Sequence, residues 1–485
     1  MTLYVLTALA RTLSSDAVLS TLLEGQIQDA TARTLALIEA HAETPASQGL
    51  CELQVLAGDL MLAQGHDEEA EECYRQAVKA AASAPRGQVR VVSCRNTGFL
   101  SLYQHRFGTA AACFRRVIDD EAALTAQRTE ALCALALAHH GMGQTLQALE
   151  ALDEAAEQAA EAASSHLALL VGMVRVELLV QQEIRAHGSL RDHVFWQLPP
   201  TSSRQRTQIE PLTALNACLL THGKHPLVAQ RLGHLRSLLM ASCGDAAAVK
   251  SLEQDVAWLR RSGIVTGERQ SRIDTALVCI VVRNADMARG MLEPLCGRGL
   301  RDASSQRWNF ELSYCLAKVC ELTGRVDEAM QHYQRYALES VQCVRVETPA
   351  EHVSSHTPTS AAATAVKDDV EMSLPAKYRR AYRYLLEHLD SADLSIREIA
   401  EHVGVTERAL QSAFRTHLGM TPIEVLRRCR VERIRRDLVS PAAPGVTVIE
   451  AAARWGIRNR STLLSSYRKY FKETPAETLA RSAGA

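Results

Sequence analysis

The residues best placed to do chemistry in this 485-residue chain are arginines. From Pro422 to Leu438 the sequence reads PIEVLRRCRVERIRRDL, carrying Arg427, Arg428, Arg430, Arg433, Arg435 and Arg436. Guanidinium groups are permanently charged and planar, and in such density they suit phosphate or carboxylate oxygens. The charge distribution points the same way. From Pro375 to Ala485 there are 20 Lys+Arg against 12 Asp+Glu, a net of +8, and the remainder holds 34 against 43, a net of −9. A basic tail on an acidic body is the footprint of a polyanion partner. The groups an enzyme needs are not assembled: there is no P-loop, no GxSxG and no HExxH. His139-His140 is an isolated pair on a predicted helix, read as packing or surface. The 13 cysteines include no CxxC and read as reduced thiols packed as small apolar groups. No catalytic residue, metal site or cofactor is expected.

Arginines read nothing unless a scaffold positions them, and the flanking sequence supplies one. In LSIREIAEHVGVTERALQSAF, Leu394 to Phe414, residues Ile396, Ile399, Ala400 and Val403 form the apolar stripe of a short helix. Gly404 can take positive φ and end that helix. Thr406 is a good N-cap for the next one. Leu410 and Phe414, one turn apart, pack back on the first helix, and Ala400 is small where the two cross. This is the logic of a helix-turn-helix, whose second helix can enter the major groove of DNA. The pattern then recurs. Ala400, Gly404, Val405, Leu410, Phe414 and Thr421-Pro422 correspond to Ala452, Gly456, Ile457, Leu463, Tyr467 and Thr474-Pro475. The arginine-rich stretch joins the two copies. Pro422 suits a first helical turn, and Val425, Leu426, Val431, Ile434 and Leu438 can face inward. A rod of roughly 24 Å there would set two recognition helices near the ~34 Å spacing of successive major grooves.

These residues resemble the AraC/XylS family of bacterial regulators. The resemblance is carried by Ile399 to Gly404, by Leu418 to Pro422, by Arg430 to Leu438 and by Ala452 to Pro475. It spans about 376–482, with two departures: Ile457 stands where the family has Phe, and Ala451 where it has Ile. The smaller side chains imply a looser second unit that binds DNA less tightly. Carried over position by position, the resemblance implies base contacts by Arg408, Gln411 and Ser412 in the first unit. In the second it implies Ser461, Leu464 and Ser465, with Arg460 one residue earlier. The residue types fit, since Arg grips G, Gln grips A, Ser serves either and Leu meets a thymine methyl. Arg415 and Arg468, one turn further on, are expected at phosphates.

The first 340 or so residues repeat differently. Gly58, Gly65, Ala70, Tyr74 and Ala77 sit at positions 8, 15, 20, 24 and 27 of a helix–turn–helix unit. The frame recurs with Gly98, His105, Ala110, Phe114 and Val117, with Gly143, Ala148, Leu152 and Ala155, and with Ala317, Gly324, Ala329, Tyr333 and Tyr336. Weaker copies are anchored at Ala229, with Gly223 one residue out of frame, and at Ala288. Small residues at 8 and 20 let paired helices approach, and the aromatic at 24 is expected to fill the groove against the next repeat. The pattern resembles the tetratricopeptide repeat, with a period nearer 40 than 34 residues. Such arrays present a concave face that binds protein segments. Together, a tetratricopeptide-like body and an AraC-type tail resemble the Hrp-type activators of type III secretion, which implies secretion and effector promoters as targets.

The expected architecture is therefore all-α. Residues 1–345 form a tetratricopeptide-like α-solenoid with a possible break near 185–210, where Pro199-Pro200 reads as a loop. Residues 346–374 form a flexible linker. Residues 375–482 form the DNA-binding domain, with helix-turn-helix units at about 395–417 and 447–471. No stretch reaches the ~18 apolar residues of a membrane span, and a cytoplasmic protein is expected. The expected partners are promoter DNA, RNA polymerase and a protein or peptide in the repeat groove. The alternative is a repeat-based adaptor whose C-terminal domain is not a specific DNA binder.

Overall fold

Ala and Leu have little side-chain entropy to lose in a helix, and the regular structure is helical throughout the described residues. The computed structural model describes residues 3–11, 16–41, 48–196, 211–296, 308–347, 374–439, 447–457, 459–471 and 473–483. The chain forms two compact units, Met1–His352 and Val353–Ala485. Most of the expected linker at 346–374, and the Pro199-Pro200 loop, lie outside the described residues.

The first unit is a tetratricopeptide-like solenoid. Among the described residues, the short α1 (Leu3–Leu6) is followed by eight helix pairs: α2 (Asp16–Leu23) with α3 (Ile27–Ala40), α4 (Gln48–Ala63) with α5 (Asp67–Ala80), α6 (Arg86–Tyr103) with α7 (Phe107–Ile118), and α8 (Thr125–Gly141) with α9 (Thr145–Glu161). The array continues with α10 (Ser165–Arg185) and α11 (Pro211–His222), α12 (Pro226–Ser242) and α13 (Ala246–Arg261), α14 (Val265–Val281) and α15 (Ala285–Cys296), and α16 (Phe310–Leu322) and α17 (Val326–Glu347). The expected mid-repeat turns hold at Gly65, Gly143 and Gly324, all at positive φ, and His105 adopts the same conformation at φ 56° in place of glycine.

Two details of the repeat frame differ from expectation. The copy anchored at Ala229 is out of register. Gly223 lies between α11 and α12, so Ala229 sits on the first helix of a pair, and that pair turns at Gly244, φ 94°. The frame therefore continues at Val249, where a branched residue hid it. The aromatic at position 24 packs on its own repeat as well as on the next, where the Arg95 guanidinium lies over the Tyr74 ring. A Cβ on Gly98 would lie 2.7 Å from the Phe114 ring, and one on Gly58 would collide with Tyr74.

The concave face is not open. Residues 3–10 are all buried and pack against α4, α8 and α10, the first helices of their pairs. Early and late repeats also meet. Thr266 donates to the Ala63 carbonyl at 3.3 Å, His105 Nδ1 to the Trp308 carbonyl at 2.8 Å, and the Gly108 N–H to Glu347 at 2.8 Å. Beneath the N-terminal segment lies a buried charge network. Arg95 donates to Asp59 at 2.6 Å and to Glu130 at 2.7 Å, while Arg11 reaches the same carboxylates at 3.2 and 2.8 Å. Thr7 and Tyr74 hydroxyls also donate to Asp59, at 2.7 and 2.6 Å. Burial would raise the Asp59 carboxyl, but the Arg95 and Arg11 guanidiniums hold it below its ordinary value.

The second unit comprises α18 (Ala376–Glu387), α19 (Ile396–His402), α20 (Glu407–Leu418), α21 (Pro422–Val439), α22 (Val448–Arg454), α23 (Arg460–Phe471) and α24 (Pro475–Ala483). Hydroxyl caps start most of these helices. Ser395 accepts from the Glu398 N–H and Thr406 from the Ala409 N–H, while Thr421, Thr447 and Thr474 pair reciprocally with the glutamate three residues on. The described residues of this unit gather into two hydrophobic cores. One gathers Leu385, Ile399, Ala400, Leu410 and Phe414, the other Ala451, Ala452, Leu463 and Tyr467. Helix α21 serves both, giving Val425 and Leu426 to the first and Val431, Ile434 and Leu438 to the second.

Candidate nucleic-acid interface

Each helix-turn-helix is built as its residues dictate. Gly404, φ 64°, turns the chain from α19 into α20, and Gly456, φ 67°, turns it from α22 towards α23. Phe414 and Tyr467 are fully buried beneath the two turns, each worth roughly 1.5–3 kcal/mol of apolar burial. With one face of each recognition helix so anchored, the opposite face must point outward.

That outward face carries the expected residues. Arg408, Gln411, Ser412 and Arg415 fall at i, i+3, i+4 and i+7 on α20, and so share one side. Arg408, Ser412 and Arg415 are exposed and Gln411 is half-buried. Among the described residues no hydrogen bond or ion pair engages these four side chains. Ser461, Leu464, Ser465 and Arg468 repeat the spacing on α23, exposed except for the half-buried Leu464, and Arg460 is exposed beside them. The second face differs in one respect. The Ser461 hydroxyl donates to Asn459 at 2.7 Å and the Ser465 hydroxyl to the Thr462 carbonyl at 3.2 Å. Asn459 also accepts from the Ser461 N–H at 2.9 Å, which caps α23.

The connecting helix departs from expectation. Its arginines do not form one free basic strip. Arg428 bonds Glu432 at 3.1 Å, Arg435 bonds Glu473 at 3.2 Å and lies over Phe471, and Arg433 lies over Trp455. Arg430 is buried. It donates to the carbonyls of Leu389 at 2.9 Å and Ser391 at 2.5 Å in the first half, and to that of Gly456 at 3.4 Å in the second. Burial pulls its guanidinium below the ordinary value. Trp455 packs against both cores and donates its indole N–H to Asp437 at 2.9 Å. Sequence reasoning counted Arg430 as surface charge and passed over Trp455. The only signal for either was that each falls beside an inward-facing position, Arg430 before Val431 and Trp455 before the turn glycine.

Comparison with known proteins agrees with this geometry. The family model described as a helix-turn-helix domain matches residues 399–481. The chain is 35% identical over 417 residues to the regulatory protein HrpB of Ralstonia nicotianae, covering 86% of each chain. Two further relatives match over shorter stretches. A probable thc operon regulatory protein of Rhodococcus erythropolis is 37% identical over 109 residues, 22% of this chain and 32% of that one. XylDLEGF operon transcriptional activator 1 of Pseudomonas putida is 31% identical over 104 residues, 21% and 31% respectively. With a helical solenoid, two helix-turn-helix units in tandem and similarity extending into both compact units, the chain belongs to the family of the regulatory protein HrpB, DNA-binding transcriptional regulators with an AraC-type helix-turn-helix domain.

Proposed function

We propose that the protein activates transcription from promoters of type III secretion genes, acting in the cytoplasm with RNA polymerase as its partner. Similarity over 86% of HrpB, which must include part of the solenoid, supports this reading over that of a regulator sharing only the DNA-binding domain. In the proposal, Arg408, Gln411 and Ser412 contact bases in one major groove and Arg460, Ser461, Leu464 and Ser465 in the next. Arg415 and Arg468 meet phosphate. The observation that carries it is the pair of matching outward faces on α20 and α23, at the same helical spacing.

Control is proposed to enter through the repeat unit. A protein or peptide partner in its groove would compete with residues 3–10, which occupy the inner face. The reading is of a regulator rather than an enzyme. Footprinting of the full chain on secretion-gene promoters tests it. Protection of two adjacent major-groove segments is expected, with affinity falling steeply as salt rises. Absence of duplex binding at low salt overturns the proposal.

A further inference from the structure

A pocket open to solvent on one side lies within the solenoid unit. Aromatic side chains form much of its wall, including Tyr103, Trp308 and Phe310, and Tyr4 of the buried N-terminal segment closes one side. This lining, largely aromatic with a few polar groups, suits a small molecule. The charged groups around it are mostly spoken for. Arg185 donates to Glu311 at 2.6 Å, and Glu177 is held by Arg231. Asp274 is buried and accepts from the side-chain amides of Gln181 and Gln270. The two histidines on the wall are uncharged, since burial lowers His105 to about 4 and His140 to about 3.

Arg269 is the exception. Its guanidinium lines the cavity and donates to the neutral Asn309 side-chain oxygen at 2.6 Å. Among the described residues it forms no ion pair. Desolvation pulls it down to about 10, so it remains a cation at neutral pH. A desolvated charge without a counter-ion is costly unless something supplies one. A planar guanidinium matches a carboxylate through two parallel hydrogen bonds.

We propose that this cavity binds a small organic monocarboxylate, its carboxylate on Arg269 and its apolar or aromatic body against Tyr103, Trp308 and Phe310. Because Tyr4 belongs to the wall, an occupant also touches the N-terminal segment, and binding reinforces the burial of that segment. This assigns the repeat unit a small-molecule site in addition to the partner surface proposed above.

The test titrates the full chain with phenylacetate and, separately, with its neutral isostere phenylacetamide. Tryptophan emission and melting temperature are followed, and Trp308→Phe identifies the reporting indole. Saturable binding of phenylacetate is expected, with the amide at least about tenfold weaker, because only the carboxylate completes the ion pair. Arg269→Gln is expected to weaken phenylacetate by a similar factor, and Arg269→Lys by less. No saturable response to phenylacetate overturns the proposal, as does equal affinity for the amide or unchanged affinity in Arg269→Gln. Should Arg269→Gln not fold, the acid-against-amide comparison on the native protein decides alone.

Discussion

Arg430 donates to the carbonyl oxygen of Gly456, so a side chain from the middle of the connecting helix grips the turn of the second helix-turn-helix. The same guanidinium holds Leu389 and Ser391 from the first half. One residue thereby ties both reading heads to a single rod. We expect Arg430→Ala to leave three carbonyls short of a donor and to cost about 1–3 kcal/mol in the C-terminal unit. DNA binding should suffer selectively: affinity for a full site should fall at least about tenfold while affinity for an isolated first half-site changes little. Equal losses on both sites in a binding titration would argue against a role in relative positioning.

The two turn glycines should not be equally replaceable. A Cβ at Gly404 meets nothing within 4 Å, so Gly404→Ala pays chiefly for its positive φ, about 1–2 kcal/mol. At Gly456 a Cβ would also lie 3.1 Å from the Ala392 backbone and 3.0 Å from the Arg430 guanidinium. Gly456→Ala should therefore be the more destabilising of the two in denaturant melts of the full chain. The reverse order would mean that the two halves separate easily at this contact.

Arg408→Ala or Gln411→Ala should reduce discrimination between the correct promoter and a base-substituted one more than Arg460→Ala does. The first face has its side chains free, whereas Ser461 and Ser465 on the second are engaged within their own helix end. A lost bidentate base contact is worth about 1–3 kcal/mol. Competition binding with single-base variants measures this, and equal or opposite losses would show that the units contribute alike.

Breaking the buried network of the solenoid should be severe. Arg95→Met leaves Asp59 and Glu130 with Arg11 as their remaining cationic partner. Removing one member of a buried ionic cluster costs about 3–5 kcal/mol. A triple variant, Arg95→Met with Asp59→Asn and Glu130→Gln, should recover part of that loss, because no uncompensated carboxylate remains. Thermal melts of the three proteins decide, and a triple variant no better than the single one would point to lost packing instead.

Acid should weaken the first unit before its carboxylates titrate. His105 and His140 are held near 4 and 3 by burial, below the ordinary histidine value of 6.5. Above that value they are neutral in both folded and unfolded chains and cost nothing. As pH falls below it, the unfolded chain takes up protons that the folded one refuses, so stability drops by up to ~1.4 kcal/mol per pH unit for each histidine. His140→Gln should remove one proton from that slope between pH 6 and 4, as measured by melts at several pH values. An unchanged slope would mean that His140 is protonated in the folded state.

Periodicity, turn residues and charge were enough to establish the local units, because those depend on nearest neighbours along the chain. The stripe Ile396, Ile399, Ala400 and Val403 sets α19, Gly404 and Thr406 set the turn and cap, and a 3,4,7 spacing sets Arg408, Gln411, Ser412 and Arg415 on one face. The turn glycine Gly65 followed by Ala70 and Tyr74, one helical turn apart, establishes a helix pair. What these rules could not supply was which surfaces meet at long range. Arg430 has the same side chain as its neighbour Arg428, and only the approach of Leu389, Ser391 and Gly456 makes one buried and leaves the other at the surface. Residues 3–10 are every one buried, because α4, α8 and α10, distant along the chain, pack around them. The cavity beside Arg269 arises the same way. Its wall draws on Tyr4, Tyr103, Arg269 and Trp308, which are far apart along the chain. Burial and pairing across such separations are set by the packed tertiary structure, since desolvation and hydrogen bonding act through space and not through sequence order.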